Sequence, residues 1–164
     1  MLLSVLLLAG RRLPSTAPFL FGNTDFKVVQ YNGRGILLAD PCARQLVCNT
    51  IKQLSRSAHV LCLEEVHGHS QEIEKCLSLW LPGWKIFASS AHCADGSHNF
   101  GAGGVVIALC PAVAAGAVSI ISNILVKGRC NSVSINFAGG RICIINTHNY
   151  NLLKTQIQKV GAFL

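Results

Sequence analysis

Two adjacent carboxylates close an apolar run in the segment LCLEEVH, which spans residues 61–67. Glu64 and Glu65 are two of only seven acidic residues in the chain, and no Asp or Glu follows Asp95. Any chemistry that needs a carboxylate must therefore use the first 95 residues. Mg²⁺ prefers oxygen ligands and needs only one or two protein carboxylates, because water and substrate phosphate supply the rest. The acidic pair therefore indicates a candidate metal site.

Two further polar groups also stand where an apolar run ends. Asn32 closes VVQYN, and Asn146-Thr147-His148 close RICIIN. Ligands of open α/β sheets collect at strand ends, where loops present side chains that the strands hold in place. Strand alternation predicts that Glu64 and Glu65 lie on opposite faces, so that only one of them points into a cleft. His148 could act on a phosphate as an acid, a base or a hydrogen-bond donor. Considered one at a time, these residues are also compatible with a site that has no function: two solvent-exposed acids at a strand end, and a histidine in the loop after a strand.

The segments that would position these side chains begin at Phe26. A proline after Asp40 predicts a helix start, and the helix is expected to run to about Ser55 with Leu46, Val47, Ile51 and Leu54 on its buried face. A second helix is expected from about Ser70, with Ile73, Cys76, Leu77 and Trp80 inward, and another near Leu152. The predicted strands lie in FKVVQYN, AHVLCLEE, KIFASS, GVVIAL, AVSIISNILV, NSVSINF and RICIINTH, with AHCADGSHNFGAGG as a loop and AGG as a hairpin turn. This order predicts a layered α/β domain with a mixed sheet.

The composition of the chain indicates a class of partner and a cellular compartment, but it does not determine the function. The formal net charge of +7 favours a polyanionic partner such as nucleic acid or an anionic lipid surface, although the basic residues are scattered. The eight cysteines form no CxxC pair, which argues against a zinc knuckle and favours an intracellular reducing compartment. The apolar stretch at the N-terminus is too short to span a bilayer, so no stable membrane insertion is expected. Residues 1–25 are expected to lie outside a folded domain of residues 26–164.

Four motifs in order resemble the endonuclease/exonuclease/phosphatase (DNase I-like) superfamily, which includes the endonucleases of retroelements. They are VVQYNGRG, AHVLCLEEVH, GAGGVVIAL and GRCNSVSINFAGGRICIINTH, within residues 26–152. Tyr31 stands where the family has tryptophan, and Val66 where it has threonine. The resemblance implies the first half of a four-layered α/β sandwich, a mixed sheet with flanking helices. It also implies hydrolysis of a phosphodiester, most simply in DNA, with Mg²⁺ or Mn²⁺ as cofactor.

The resemblance assigns roles to five positions, one at a time. Asn32 and Glu65 match the family's metal ligands, with Glu65 also catalytic, and Glu64 takes the place of the family's glutamine. His148 matches a histidine that contacts the scissile phosphate and takes part in catalysis. Arg129 is placed like an arginine of the family that contacts phosphate. The predicted substrate-binding residues are Arg129, His148 and Asn146, the last as part of the polar segment that ends RICIIN.

The family also has a second half, with a GD-x-N motif and a terminal Asp-His pair, which this sequence does not contain. We therefore expect the C-terminal half of the domain to be missing, which leaves two functions open. One is a metal-dependent endonuclease, and the other is an inactive fragment of such a domain. Phosphoinositide phosphatases and sphingomyelinases share the same first-half motifs, so the substrate stays open as well.

Overall fold

The computed structural model describes residues 4–10, 26–90, 103–148 and 152–163. Most of the loop expected between residues 91 and 104 lies outside these ranges. Twelve helices and strands are found in the described part of the chain. They are β1 (Ser4–Gly10), β2 (Val28–Asn32), α1 (Pro41–Ser55), β3 (Val60–Glu64), α2 (Ser70–Trp80), β4 (Lys85–Ser89), β5 (Val105–Leu109), α3 (Pro111–Gly116), β6 (Ser119–Val126), β7 (Cys130–Phe137), β8 (Gly140–Thr147) and α4 (Lys154–Phe163).

The strands form two four-stranded sheets. The first, here called the mixed sheet, has the order β2-β3-β5-β4, with β2 parallel to β3 and the other pairs antiparallel. The second, here called the antiparallel sheet, has the order β1-β8-β7-β6. The predicted α/β class with a mixed sheet is confirmed. The second sheet adds to the expected architecture, because β6, β7 and β8 follow one another through short turns and pair among themselves.

Alternation along β3 explains how the layers stack. Leu61 and Leu63 face a core that they share with α1 and α2, whereas Val60 and Cys62 face the antiparallel sheet. Every residue of β3 is buried, as the continuous apolar run predicts for a strand covered on both sides. The core between the two sheets includes Ile107 and Leu109 of β5 and Val133, Ile135, Ile142 and Ile144 of β7 and β8. The mixed sheet is thus packed between helices on one face and a second sheet on the other.

Helix α1 begins as its sequence predicts but buries a slightly different face. The Asp40 side chain accepts a hydrogen bond from the backbone N–H of Cys42 at 2.9 Å, and Pro41 occupies the first turn, where no N–H is needed. The expected burial of Leu46 is wrong, because 68% of that residue is exposed. Val47, Cys48 and Ile51 form the buried stripe instead, since Leu46 lies about 100° around the helix from Val47.

The outer face of the antiparallel sheet is covered by α4. Leu152, Val160 and Phe163 pack against a small cluster that contains Cys143 and Ile145 of β8. No residue of α4 is itself buried, so this layer is thin. Strand β6 ends the sheet on one side, with Ile121 and Ile124 about half exposed. None of the helices in the described part of the chain has the length and apolarity that a membrane span needs.

One segment of the N-terminal region lies in the antiparallel sheet, whereas the sequence predicted that residues 1–25 lie outside the domain. Ser4–Gly10 pairs antiparallel with β8 over seven residues, from Ser4 opposite Thr147 to Gly10 opposite Arg141. An apolar segment without proline can supply a complete ladder of backbone hydrogen bonds, so it can extend a sheet edge. The rest of residues 1–25 lies outside the described ranges, and its expected position stays a prediction.

A matched pair of isoleucine substitutions tests which side of the antiparallel sheet carries the core. Ile144→Ala removes a fully buried side chain between the two sheets. It is expected to lower the free energy of unfolding by about 2–5 kcal/mol. Ile121→Ala removes a side chain that is 53% exposed and is expected to cost about 1 kcal/mol or less. Urea unfolding of both variants measures the difference, and equal losses would contradict the arrangement of the layers.

Candidate functional site

The carboxyl ends of β2 and β3 lie side by side. The two strands are parallel, and Asn32 is in register with Glu64 at the end of both. The pairing continues into the loops, where Gly33 N donates to Glu64 O at 2.7 Å and Gly35 N donates to Glu65 O at 2.6 Å. Asn32 and Glu65, the two expected metal ligands, therefore leave adjacent strand ends.

Backbone hydrogen bonds join the acidic segment to the start of β5. Val66 N donates to Gly104 O at 3.3 Å, and His67 N donates to Gly103 O at 3.1 Å. Gly104 has a φ of +86°, and a Cβ built there would lie only 2.9 Å from Cγ2 of Val66. A side chain would therefore be both strained and crowded, so glycine at this position allows the two segments to approach.

Arg129 joins the same group of loops through its backbone. Gly104 N donates to Gly128 O at 2.9 Å, and His148 N donates to Arg129 O at 2.8 Å. The guanidinium packs against the backbone of Gly103, where an added Cβ would lie 3.0 Å from Nη1 of Arg129. Arg129, which the sequence placed among the substrate contacts, thus lies at the end of the sheets that carries the carboxylates.

His148 lies between two carboxylates. Its Nδ1 is 3.2 Å from Oε2 of Glu64, and its Nε2 is 3.3 Å from Oε1 of Glu65. The histidine is 2% exposed and Glu64 is 1% exposed, whereas Glu65 is 30% exposed. The structure therefore brings together three positions that the sequence predicted to share a site, and Glu65 is the carboxylate of the pair that solvent reaches.

The expectation that the two glutamates face apart is wrong. Strand β3 ends at Glu64, and Glu65 adopts a φ of +50°, in the left-handed region that non-glycine residues seldom occupy. Strand alternation stops applying at that point, so both side chains reach the same imidazole ring. His67 has a φ of +47° as well. Such left-handed residues persist only where surrounding contacts hold them, and they are frequent at functional sites.

His67 received no role from the sequence, but it lies close to this cluster. Burial is the main cause of a lowered pKa for His67, the Glu65 carboxylate raises that pKa, and His148 lowers it. The net direction favours a neutral imidazole at His67 near neutral pH. An added Cβ at Gly35 would lie 3.1 Å from Nδ1 of this ring, so the loop after β2 packs directly on it.

Gln30 is a member of the site that sequence reasoning missed. Its Nε2 donates a hydrogen bond to Oε1 of Glu64. Gln30 and Asn32 are two residues apart on β2, so they share one face of the strand, the face that Glu64 also uses. The spacing of two residues between Gln30 and Asn32 is the signal in the sequence that places both side chains on one face of the strand.

Asn146 is completely buried and connects the two sheets. Its Nδ2 donates to Leu63 O of β3 at 2.9 Å and to Val106 O of β5 at 3.0 Å. Its Oδ1 has no hydrogen-bond partner among the described residues. From this position Asn146 fixes the end of β8 and, through it, the place of His148. Its expected contact with substrate stays a prediction.

The donor atoms at the two strand ends suit a hard divalent cation. Glu65 offers a partly exposed carboxylate, and Asn32 offers a half-buried amide oxygen that accepts one hydrogen bond from Arg34 N at 3.0 Å. Within the described ranges, no group of three or more His, Cys, Asp or Glu forms a metal cluster. An ion held by Asn32 and Glu65 would therefore complete its shell with water or substrate oxygens, as Mg²⁺ commonly does.

Cys62 is predicted to be chemically inert in the folded chain. Burial, reinforced by the Glu64 carboxylate, raises its pKa to about 12, so the thiol stays protonated at pH 8. Iodoacetamide reacts with the thiolate, so Cys62 is expected to resist alkylation while the exposed Cys42 reacts. Peptide mass spectrometry measures both. Both should react in urea, and equal labelling in the folded state would contradict the assigned burial.

A pair of asparagine substitutions tests the inter-sheet role of Asn146. Asn146→Ala leaves two buried carbonyls without this donor and is expected to cost about 2–3 kcal/mol of unfolding free energy. Asn136→Ala removes an exposed hydrogen bond to Ser119 Oγ and is expected to cost about 1 kcal/mol or less. Chemical denaturation measures both values. If Asn146→Ala proves as mild as its control, Asn146 does not hold the sheets together.

Comparisons with known proteins do not assign this site to a family. No protein-family model matches the chain, and no curated protein matches it. The chemistry of the site is therefore inferred from its own residues and from the motif resemblance alone.

Proposed function

We propose that this chain carries the metal-binding part of a DNase I-like phosphodiesterase and acts on DNA as an endonuclease. The observation that supports this proposal is the convergence of Asn32, Glu65, Arg129 and His148 at one end of the two sheets. These residues come from distant points of the sequence, and each occupies a position that the motif resemblance assigns to the site. The stacking of helices, mixed sheet, antiparallel sheet and α4 is also what a four-layered sandwich requires.

Asn32 and Glu65 are the residues that would hold the cation. Both present oxygen atoms, which Mg²⁺ and Mn²⁺ accept, and Glu65 remains open to solvent. A bound ion would supply positive charge that stabilises the phosphate in the transition state. The Glu65 carboxylate also lies beside His148, with its Oε1 3.3 Å from Nε2 of that ring.

Arg129 and His148 are the proposed phosphate contacts. A guanidinium carries a permanent positive charge and donates several hydrogen bonds, so it suits a phosphodiester. His148 adds a ring nitrogen, Nε2, at the edge of the acidic pair, where it can hold or pass a proton. Asn146 and the glycines at 103 and 104 contribute by fixing the backbone that carries these groups.

We favour DNA as the proposed substrate, because the chain is basic and its motifs resemble those of retroelement endonucleases. A net charge of +7 attracts polyanions and increases their local concentration at the surface. A phosphoinositide or a sphingomyelin-type lipid also presents a phosphodiester or phosphomonoester to the same residues. Assays with these lipids beside DNA therefore distinguish the members of the superfamily.

The second candidate is a domain of the same kind that binds substrate without turnover. The distribution of acids favours it, since no carboxylate follows Asp95 and Glu64 is already engaged by Gln30 and His148. A missing general base typically costs roughly 10²–10⁴-fold in rate. Such a chain would still bind a divalent cation through Asn32 and Glu65.

Plasmid nicking with Mg²⁺ or Mn²⁺ tests the proposed activity. The wild-type chain is expected to convert supercoiled DNA to open circles, and Glu65→Ala is expected to lose roughly 10²-fold or more of that rate. Glu72→Ala is the matched control, because Glu72 is an exposed acid in the first turn of α2. It should leave nicking unchanged.

Two results would overturn the endonuclease. One is no nicking at any concentration of either metal, which favours the inactive domain. The other is nicking that survives in Glu65→Ala at the wild-type rate, which assigns the activity to other residues or to a contaminant.

A further inference from the structure

Strand β6 ends the antiparallel sheet, and it exposes apolar side chains on both faces of that edge. Ile121 lies opposite Ser134 of β7, on the face that α4 covers, and it is 53% exposed. Ile124 lies opposite Asn131, whose side chain faces the mixed sheet, and it is 54% exposed. A ligand that covered one face alone would leave one isoleucine in water. A strand added beside β6 covers both, because its own side chains alternate between the two faces.

The backbone of β6 offers the hydrogen-bonding groups that an added strand needs. Within the described part of the chain, β6 pairs with β7 alone, so every second residue directs its N–H and C=O away from the sheet. The segment Ser119–Val126 contains no proline, so none of these outward amides is lost. An extended peptide presents both donors and acceptors to such an edge. A nucleic acid phosphate only accepts, so it cannot use the outward carbonyls.

Positive charge surrounds this edge and determines which extended segment suits it. Nη2 of the exposed Arg141 donates to Ser134 Oγ at 2.6 Å, which holds the guanidinium beside the residue that faces Ile121 across the ladder. Residues 96–164 contain no acid that would offset this charge. Three exposed lysines belong to the same layer, one directly after β6 and two on α4, the helix that packs against the C-terminal end of β6: Lys127, Lys154 and Lys159.

We propose that the β6 edge is a docking site for an extended, acidic segment of a partner protein, which adds to the antiparallel sheet as a further strand. Its backbone pairs with β6, its apolar side chains cover Ile121 and Ile124, and its carboxylates meet Arg141 and the lysines. A second copy of this chain offers the same backbone, but it also brings the same positive charge, so repulsion weakens that pairing. The proposal is independent of the phosphodiesterase function.

The affinities of three synthetic peptides test the proposal. The probe is a fluorescein-labelled octapeptide of alternating valine and glutamate, and the second peptide has lysine in place of each glutamate. Fluorescence anisotropy is measured with the full chain at about 0.01 M salt, where the Debye length is about 30 Å. The glutamate peptide is expected to bind about tenfold more tightly than the lysine peptide. The third peptide is the glutamate peptide methylated on every backbone nitrogen, and it is expected to lose roughly tenfold or more in affinity, because it donates no backbone hydrogen bond.

Hydrogen exchange and a matched pair of variants locate the contact. Exchange of the backbone amides of residues 119–126 is expected to slow when the glutamate peptide is added. Arg141→Gln is expected to weaken binding of that peptide about threefold. Arg56→Gln makes the same change at an exposed position at the end of α1, in the helix layer, and should leave the affinity unchanged.

Four results would overturn the proposal. Equal affinities for the glutamate and lysine peptides would refute the acidic partner, and an unchanged affinity of the methylated peptide would refute strand addition. Slower exchange in another strand, with residues 119–126 unaffected, would place the contact elsewhere. A chain that sediments as a dimer at the concentration of the titration, and that the glutamate peptide does not dissociate, would assign the edge to a second copy. Nicking of DNA, or its absence, changes none of these readouts.

Discussion

The burial of β3 on both faces is the constraint on which the rest of the structure depends. Its side chains alternate between the helix core and the inter-sheet core, so the strand fixes the distance and direction of both neighbouring layers. Glu64 is its last residue, and it carries the same alternation into the polar end of the interface. A carboxylate there is tolerated because Gln30 and His148 occupy its two oxygens. The apolar core and the site are therefore two ends of one packed strand.

Polar contacts join the two sheets at this end. Asn146 links β8 to β3 and β5, Asn131 of β7 donates to Phe87 O of β4 at 3.0 Å, and His148 contacts Glu64. Hydrogen bonds have narrow preferences in distance and angle, whereas apolar contacts tolerate sliding. The polar end thus sets the register between the sheets, and the apolar end supplies most of the burial. The side chains of a site at this end are therefore held at well-defined distances and angles.

Much of this arrangement could be predicted from local sequence pattern. Strand ends at Asn32, Glu64 and Thr147 follow from apolar runs, and the start of α1 follows from Asp40 and Pro41. The joint position of Glu64 and Glu65 could not, because the left-handed φ of Glu65 depends on hydrogen bonds to Gly35 and on the approach of residues 103–104. Helix α3 and strand β1 were missed for a related reason. Helix α3 is a single short segment that begins at Pro111. Strand β1 is stabilised by pairing with β8, a partner far along the chain.

Strand β6 forms an edge of the antiparallel sheet, and its composition is unusual for an edge strand. Its eight residues, SIISNILV, contain no charge and no proline, and the strand ends its sheet with Ile121 and Ile124 half exposed. Natural sheets commonly protect such a border with lysine, proline or a bulge, and here only an irregularity between Ile124 and Val126 interrupts the ladder. Among the described residues, no further strand pairs with this border, so its outward amide and carbonyl groups are a template for another extended chain. Self-association by addition of strands to this edge is therefore expected to increase with concentration, even while the polar ends of β2 and β3 keep their structure.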